Sequence, residues 1–289
     1  MTKSLLDTVL DPRQLSVRFQ PIFNVQGEVT RIDSLEALIR GPRATNFERA
    51  DLLFDYVRRK RAEASVDRCC FMAICEAARE LPAGTRININ VHASTLGHNP
   101  GFVEFFGKQA KKHSLALSRF TVEIVEHSPC YNVPGLTNTI ADLREAGVQI
   151  ALDDVGLGHS NFRMMLDCDP DYFKLDAYFV RGVSEDRSRR AVVESVLSLA
   201  RATECLVVAE GVESPKDLSI LIEMGVPLVQ ANLLCAAMPL EDLQVIGILD
   251  DPIVLPGGKF SHTRKLDGQN FELGREKPAV VGPGQTFYH

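Results

Sequence analysis

The sequence predicts an α/β protein built on a (β/α)8 TIM-type barrel with one antiparallel strand, followed by a Pro/Gly-rich C-terminal extension. Three observations carry that expectation. Eight short β-rich runs recur along the chain, amphipathic windows of helical length separate most of them, and the first two runs are joined by only NVQGEV (24–29). Alternation of strand and helix points to parallel pairing, because parallel strands need a long crossover. The Gln26-Gly27 turn in the short link makes the first pair antiparallel instead.

SVRFQPIF (16–23) and SLEALI (34–39) form that hairpin pair, and RININV (86–91) and FTVEIVE (120–126) follow. Gly147, directly after LREA, stops a helix ahead of VQIALDD (148–154). YFKLD (172–176) comes next. In AVVESVLSLARA (191–202), Val192, Val193, Val196, Leu199 and Ala200 recur at helical spacing. CLVVAEG (205–211) precedes Ser214-Pro215, an N-cap with proline in the first helical position, and LVQANLL (228–234) closes the barrel. From residue 250 on, DDPIVLPGGKF and VVGPGQTFYH carry many prolines and glycines without helical period. Residues 1–249 are therefore assigned to the barrel domain and 250–289 to an extension that lies on the barrel or reaches to a partner.

With 45% hydrophobic and 24% charged residues, the chain has enough apolar material for a sizeable core. A net charge of −6 argues against a broad grip on a DNA or RNA polymer, which needs a clustered basic face. An anionic substrate must then be held locally. Seven cysteines without a Cys-x-x-Cys pair read as reduced packing thiols and point to the cytoplasm. The N-terminal MTKSLLDTVLDPRQ has no small-residue cleavage site, and no apolar stretch of about 18 residues occurs, so neither export nor membrane insertion is expected.

In barrels of this class the site forms where the strands end and the following loops converge. Nearly every strand brings a polar group there: Glu36, Asn90, Glu123, Glu126, Asp153, Asp154, Lys174, Asp176, Glu210 and Gln230, with Glu213 just beyond. Several carboxylates facing one mouth repel each other unless a cation neutralises them. The donors are oxygens, without cysteine or histidine, which suits Mg²⁺ or Mn²⁺ better than Zn²⁺. Of two adjacent aspartates, one can bridge a pair of ions while the other binds the second ion alone. Successive strand residues face opposite ways, so Asp154 joins only if the strand has already broken into a loop, which Gly156 and Gly158 would allow. Plainer readings cover other positions. Asp176 caps or pairs with a neighbour, His159 is a bystander, RRKRAE from Arg58 is a solvated helix face, and Cys69-Cys70 is packing.

Taken together and in order, FQPIF, EAL at 36–38 with Arg40, NVHAS from Asn90, VEIVEH, LDDVGLG, FKLD, VVAEGVES and Gln230 resemble the bacterial EAL-domain phosphodiesterases, which hydrolyse cyclic di-GMP. The resemblance spans residues 15–239. It implies a divalent-metal enzyme with two Mg²⁺ or Mn²⁺ per site. Glu36, Asn90, Glu123 and Asp153 would hold the first ion, with Asp153 bridging, and Asp154 the second with help from Glu210. Arg40 would contact a substrate phosphate. Lys174 and Glu210 would orient and deprotonate the attacking water, Gln230 would hold water or substrate, and Glu126 would anchor the loop after Asp154. Glu213 is left as a support behind these groups. By this analogy water attacks one phosphorus in line, the ribose 3′ oxygen leaves, and linear pGpG is released. A homodimer through helices beside the catalytic loop is a further implied partner.

The chain departs from the family pattern at three places. DDVGLG stands where DDFGTG is usual, so Val155 replaces an aromatic residue and Leu157 a threonine. A QGY-like segment becomes Gln230-Ala231-Asn232, and a basic-proline approach becomes AAMP. These changes bear on the second metal, dimer coupling and guanine recognition. They keep open a catalytically impaired EAL domain that binds the dinucleotide, or only a protein partner, as a receptor. A barrel hydrolase for another phosphodiester is the third reading.

Overall fold

The computed structural model describes residues 4–27, 29–99, 101–125, 135–156, 162–249, 263–266 and 269–272. Eight strands close into a barrel in sequence order. They are β1 (Ser16–Asn24), β2 (Arg31–Arg40), β3 (Arg86–His92), β4 (Phe120–Val125), β5 (Gln149–Val155), β6 (Tyr172–Leu175), β7 (Leu206–Glu210) and β8 (Leu228–Gln230). β1 runs antiparallel to both β2 and β8, and every other neighbouring pair is parallel. The predicted barrel with one reversed strand is the observed architecture.

Helices cover the outside. α1 (Leu5–Val9) precedes the barrel, α2 (Ala50–Arg59) and α3 (Glu63–Ala77) follow β2, and α4 (Ala93–His98) and α5 (Phe102–Lys112) follow β3. α6 (Leu136–Glu145) and α7 (Phe162–Cys168) flank β5, while α8 (Ala177–Val180) and α9 (Arg187–Ala202) follow β6. α10 (Pro215–Glu223) and α11 (Leu240–Val245) complete the ring. Of the apolar stripe expected on α9, Val193 and Ala200 are buried together with Leu197, while Val196 and Leu199 pack partly against the core, and Asp186 caps the first turn. Ser214 caps α10 with Pro215 in the first position, and Gly147 takes φ +87° after α6.

Two boundaries differ from the sequence expectation. β8 stops at Gln230 because the Ala231 carbonyl accepts from the Leu234 and Cys235 amides, which turns the chain away from the ladder. β5 continues through Asp154 to Val155 instead of breaking before it. Its register to β6 slips between Leu152 and Val155, and Asp154 adopts φ +51°. The strand therefore carries a bulge, a device that re-aims side chains without ending the pairing.

The barrel interior is layered by the period of two. Ile22, Ala151, Tyr172, Val208 and Leu228 form an apolar plug. Two residues beyond the plug stand Asp153, Lys174, Glu210 and Gln230, and Gln20 stands two before Ile22 on the reversed β1, so the polar layer rests directly on the plug. Beyond the barrel, Thr263–Leu266 and Gln269–Glu272 pair as a two-stranded antiparallel ladder, β9 and β10. Among the described residues no helix is long and apolar enough to cross a membrane.

Candidate active site

Four carboxylates from four strands converge on one ammonium. Lys174 Nζ, on β6, lies 2.6 Å from Glu123 on β4, 2.7 Å from Glu210 on β7, 3.3 Å from Glu36 on β2 and 3.5 Å from Asp153 on β5. The Lys174 side chain is 0% exposed, so these attractions act with little screening by water. Burial alone would lower the Lys174 pKa, but the four acids outweigh it and hold it well above its ordinary value. Burial pushes Glu123 and Glu210 the other way for a carboxyl, well above the usual range, with neighbouring acids adding to the shift and Lys174 opposing it.

Amides complete the layer. Asn90 Nδ2 donates to Glu36 at 2.8 Å and Asn88 Nδ2 to Glu123 at 2.7 Å. Gln230 Nε2 donates to Glu36 at 2.6 Å and to Gln20 at 3.1 Å, and Gln20 donates onward to Asn232 and the Cys235 carbonyl. Gln20 lies opposite Glu36 in the β1–β2 register, and Asn88 faces inward one step below Asn90. Sequence reading overlooked both, although the position of Asn88 two residues before Asn90 was an available signal. Asn232, where the family pattern departs, serves here as the acceptor for Gln20. The AAMP departure places Met238 in a backbone bridge with Phe19.

The remaining predicted residues divide. Asp153 is buried and accepts the Asp154 amide at 3.0 Å, while Asp154 itself is half-buried on the bulge. Arg40 stands further toward the rim, half-buried, donating to the Ile39 carbonyl. Asp176 caps α8 by accepting from the Tyr178 amide, as the plainer reading expected. Glu213 does not stand behind the acids. It is 63% exposed and pairs with Arg181 at 2.9 Å. Glu126, Leu157, Gly158 and His159 lie outside the described residues. Arg58 and Arg59 pair with Asp55 on the surface of α2, and the six described cysteines are buried free thiols.

A buried set missed altogether lies at the end of β3. Asp67 of α3 accepts from the His92 amide, contacts His92 Nδ1 at 2.8 Å and accepts from the Thr95 hydroxyl. This carboxylate ties α3 to the junction of β3 and α4, just beyond Asn90.

Among the described residues no three acidic, histidine or cysteine groups are drawn together at metal-ligand spacing; the carboxylates gather on the ammonium. The donor chemistry nonetheless fits a hard divalent ion. All donors are oxygens, and Oδ1 of Asn90 and Oε2 of Glu210 are buried without a hydrogen-bond partner among the described residues. Four carboxylates against one ammonium also leave three negative charges uncompensated when all are ionised, a burden that cations relieve.

The family model described as "EAL domain" matches residues 3–237. Over 240 residues the chain is 28% identical to the probable cyclic di-GMP phosphodiesterase PdeN of Escherichia coli K12, covering 81% of this chain and 46% of that protein. It is 29% identical over 241 residues to the cyclic di-GMP phosphodiesterase NbdA of Pseudomonas aeruginosa, covering 80% and 30%. The chain thus spans less than half the length of these two relatives. Its fold is similar to Klebsiella pneumoniae BlrP1 in a calcium/cy-diGMP complex, with TM-score 0.69, 26% identity and coverage of 78% of this chain and 57% of that one. It also resembles the PaMucR phosphodiesterase in a c-di-GMP complex, with TM-score 0.72, 23% identity and coverage of 82% and 97%.

Proposed function

The chain belongs to the EAL-domain family, and from that premise we propose that it hydrolyses cyclic di-GMP to linear pGpG with the help of divalent cations. The observation that carries the proposal is the convergence of Glu36, Glu123, Asp153 and Glu210 on Lys174 in a layer walled by amides. The relatives named as cyclic di-GMP phosphodiesterases support the substrate.

Glu36, Asn90, Glu123 and Asp153 would hold one Mg²⁺ or Mn²⁺, and Asp154 with Glu210 a second. When bound, the pair of cations offsets the acid charge, polarises the phosphodiester and lowers the pKa of the attacking water. The chain supplies the rest. Arg40 grips a phosphate of the incoming dinucleotide. Glu210, whose carboxyl burial holds well above the usual range, is assigned to take a proton from the water. Lys174 orients that water and neutralises charge developing on phosphorus. Gln230, fixed between Glu36 and Gln20, holds water or substrate. Glu126 is assigned to anchoring the loop after Asp154. The same reading includes a cytoplasmic location, a homodimer, no DNA or RNA polymer as partner, and a barrel domain of residues 1–249 with an appended 250–289.

Incubating the purified protein with cyclic di-GMP and Mn²⁺ and resolving the products by chromatography tests the proposal. Linear pGpG, absent with Glu36→Ala, is the expected result. A second reading, a dinucleotide receptor without turnover, is favoured by the ion pairs that already occupy the acids; tight binding with intact ligand recovered under any divalent metal would establish it.

A further inference from the structure

Two guanidinium groups share one cavity above the acid layer. A cavity of about 590 Å³, within the size range of small-molecule sites, is lined by Arg18 and Arg40 together with Asn46, Glu48 and Arg49 of the segment after β2. Arg18 on β1 pairs with Leu38, and Ser16 with Arg40, so the two arginines are diagonal neighbours across the hairpin. They also share a face with Gln20 and Glu36, each lying an even number of residues from them. At about 3.3 Å per residue, Arg18 stands roughly 7 Å and Arg40 roughly 13 Å along the strands from the polar layer.

The electrostatics of the pair are unbalanced. Burial first, and then the positive charge of Arg18, hold the Arg40 guanidinium below its ordinary pKa against the weaker pull of Glu36 and Asp51. Among the described residues no carboxylate forms an ion pair with Arg18 or Arg40, whereas Arg49 in the same wall is paired with Asp51 at 2.6 Å. Like charges facing a common cavity cost free energy in the empty protein. An anion between them removes that cost and adds charge-assisted hydrogen bonds.

We infer that Arg18 and Arg40 form a two-guanidinium clamp, and that Arg18 is a substrate-binding residue for the phosphate of the dinucleotide that is not cleaved. The inference rests on the cyclic di-GMP reading. Its geometry is specific: the acid layer takes the reacting phosphate, and the clamp, one to two layers nearer the rim, takes its counterpart. Arg18 is solvent-exposed and forms none of the ion pairs that hold the fold, so its substitution tests binding and not folding.

The test compares two substrates. Cyclic di-GMP carries both phosphates, whereas bis(p-nitrophenyl) phosphate carries a single phosphodiester and reads the acid layer alone. With Mn²⁺ present, Arg18→Ala is expected to raise KM for cyclic di-GMP about tenfold to a hundredfold with little change in kcat. Turnover of bis(p-nitrophenyl) phosphate should stay at the wild-type level, Arg18→Glu should deepen the KM effect, and Arg18→Lys should restore part of it. A KM within twofold of wild type, or an equal loss on both substrates, overturns the inference. If the wild type binds cyclic di-GMP without cleaving it, hydrolysis fails as the protein's function. The clamp is then read by calorimetric affinity, which must fall by the same factor in Arg18→Ala.

Discussion

Lys174 Nζ lies 2.6 Å from Glu123 Oε2 inside the barrel, where both side chains are 0% exposed. The ammonium is the counter-charge that lets four acids share one layer, and removing one partner of a buried ionic set is far costlier than the net worth of the set. In chelator, Lys174→Met is expected to lose about 3–5 kcal/mol of unfolding free energy. Manganese should return much of that loss by supplying positive charge to the same acids. Urea denaturation with and without Mn²⁺ checks this, and equal stability of mutant and wild type in chelator would count against it.

Gly211 follows Glu210 directly at the end of β7. It takes φ +60°, its amide donates to the Gln230 carbonyl at 2.9 Å, and a Cβ there would fall 2.6 Å from Ala177 Cβ. Gly211→Ala should cost about 1–3 kcal/mol in stability through strain and the close contact. Because the displaced backbone carries Glu210, kcat should fall more than KM rises. Thermal melting and steady-state kinetics on the same preparation read both effects.

Arg40 should act on substrate and not on metal, since a guanidinium grips phosphate but cannot coordinate a cation. Arg40→Ala is expected to weaken cyclic di-GMP binding about tenfold to a hundredfold. Manganese affinity should be unchanged. Separate titrations of metal and dinucleotide would expose an error if both affinities fell together.

Asp217 provides a pH dependence away from the acid layer. Its buried carboxylate accepts from the Gly182 and Ser184 amides, tying the segment after α8 to the start of α10. Burial raises its pKa, but hydrogen bonds from Ser184, Gly182 and Ser214 outweigh this and set it below the ordinary 3.8. A depressed carboxyl stabilises the fold above its unfolded pKa, and that contribution disappears as pH falls through the lower folded value. Asp217→Asn should therefore be less stable than wild type by about 1–3 kcal/mol at neutral pH, with the gap narrowing below about pH 4. Denaturation midpoints across an acid series measure it.

The strands were legible because a barrel buries both faces of each strand, so apolar runs of uniform length stand out between amphipathic helices. The acids were legible for a related reason. Glu36, Glu123, Asp153 and Glu210 interrupt those apolar runs, where charge is costly without purpose. What remained hidden depends on distance across the barrel. Lys174 reads in sequence as one polar strand residue among many, and only closure of the sheet brings it to the centre of four acids. The bulge at Asp154 was hidden because a left-handed aspartate has no fixed neighbour pattern, and the surface pairing of Glu213 depended on where the fold places Arg181. The β9–β10 ladder had a signal in the sequence that went unread, the dipeptide Asp267-Gly268, which favours tight turns.

Manganese retention tests the central claim, that Glu36, Glu123, Asp153 and Glu210 leave Lys174 to cage divalent cations. Equilibrium dialysis followed by elemental analysis should find a pair of manganese ions per wild-type chain in the presence of cyclic di-GMP, and a loss of metal in Asp153→Asn that keeps its circular dichroism spectrum. A folded wild-type protein that binds the dinucleotide yet retains no manganese would contradict the account.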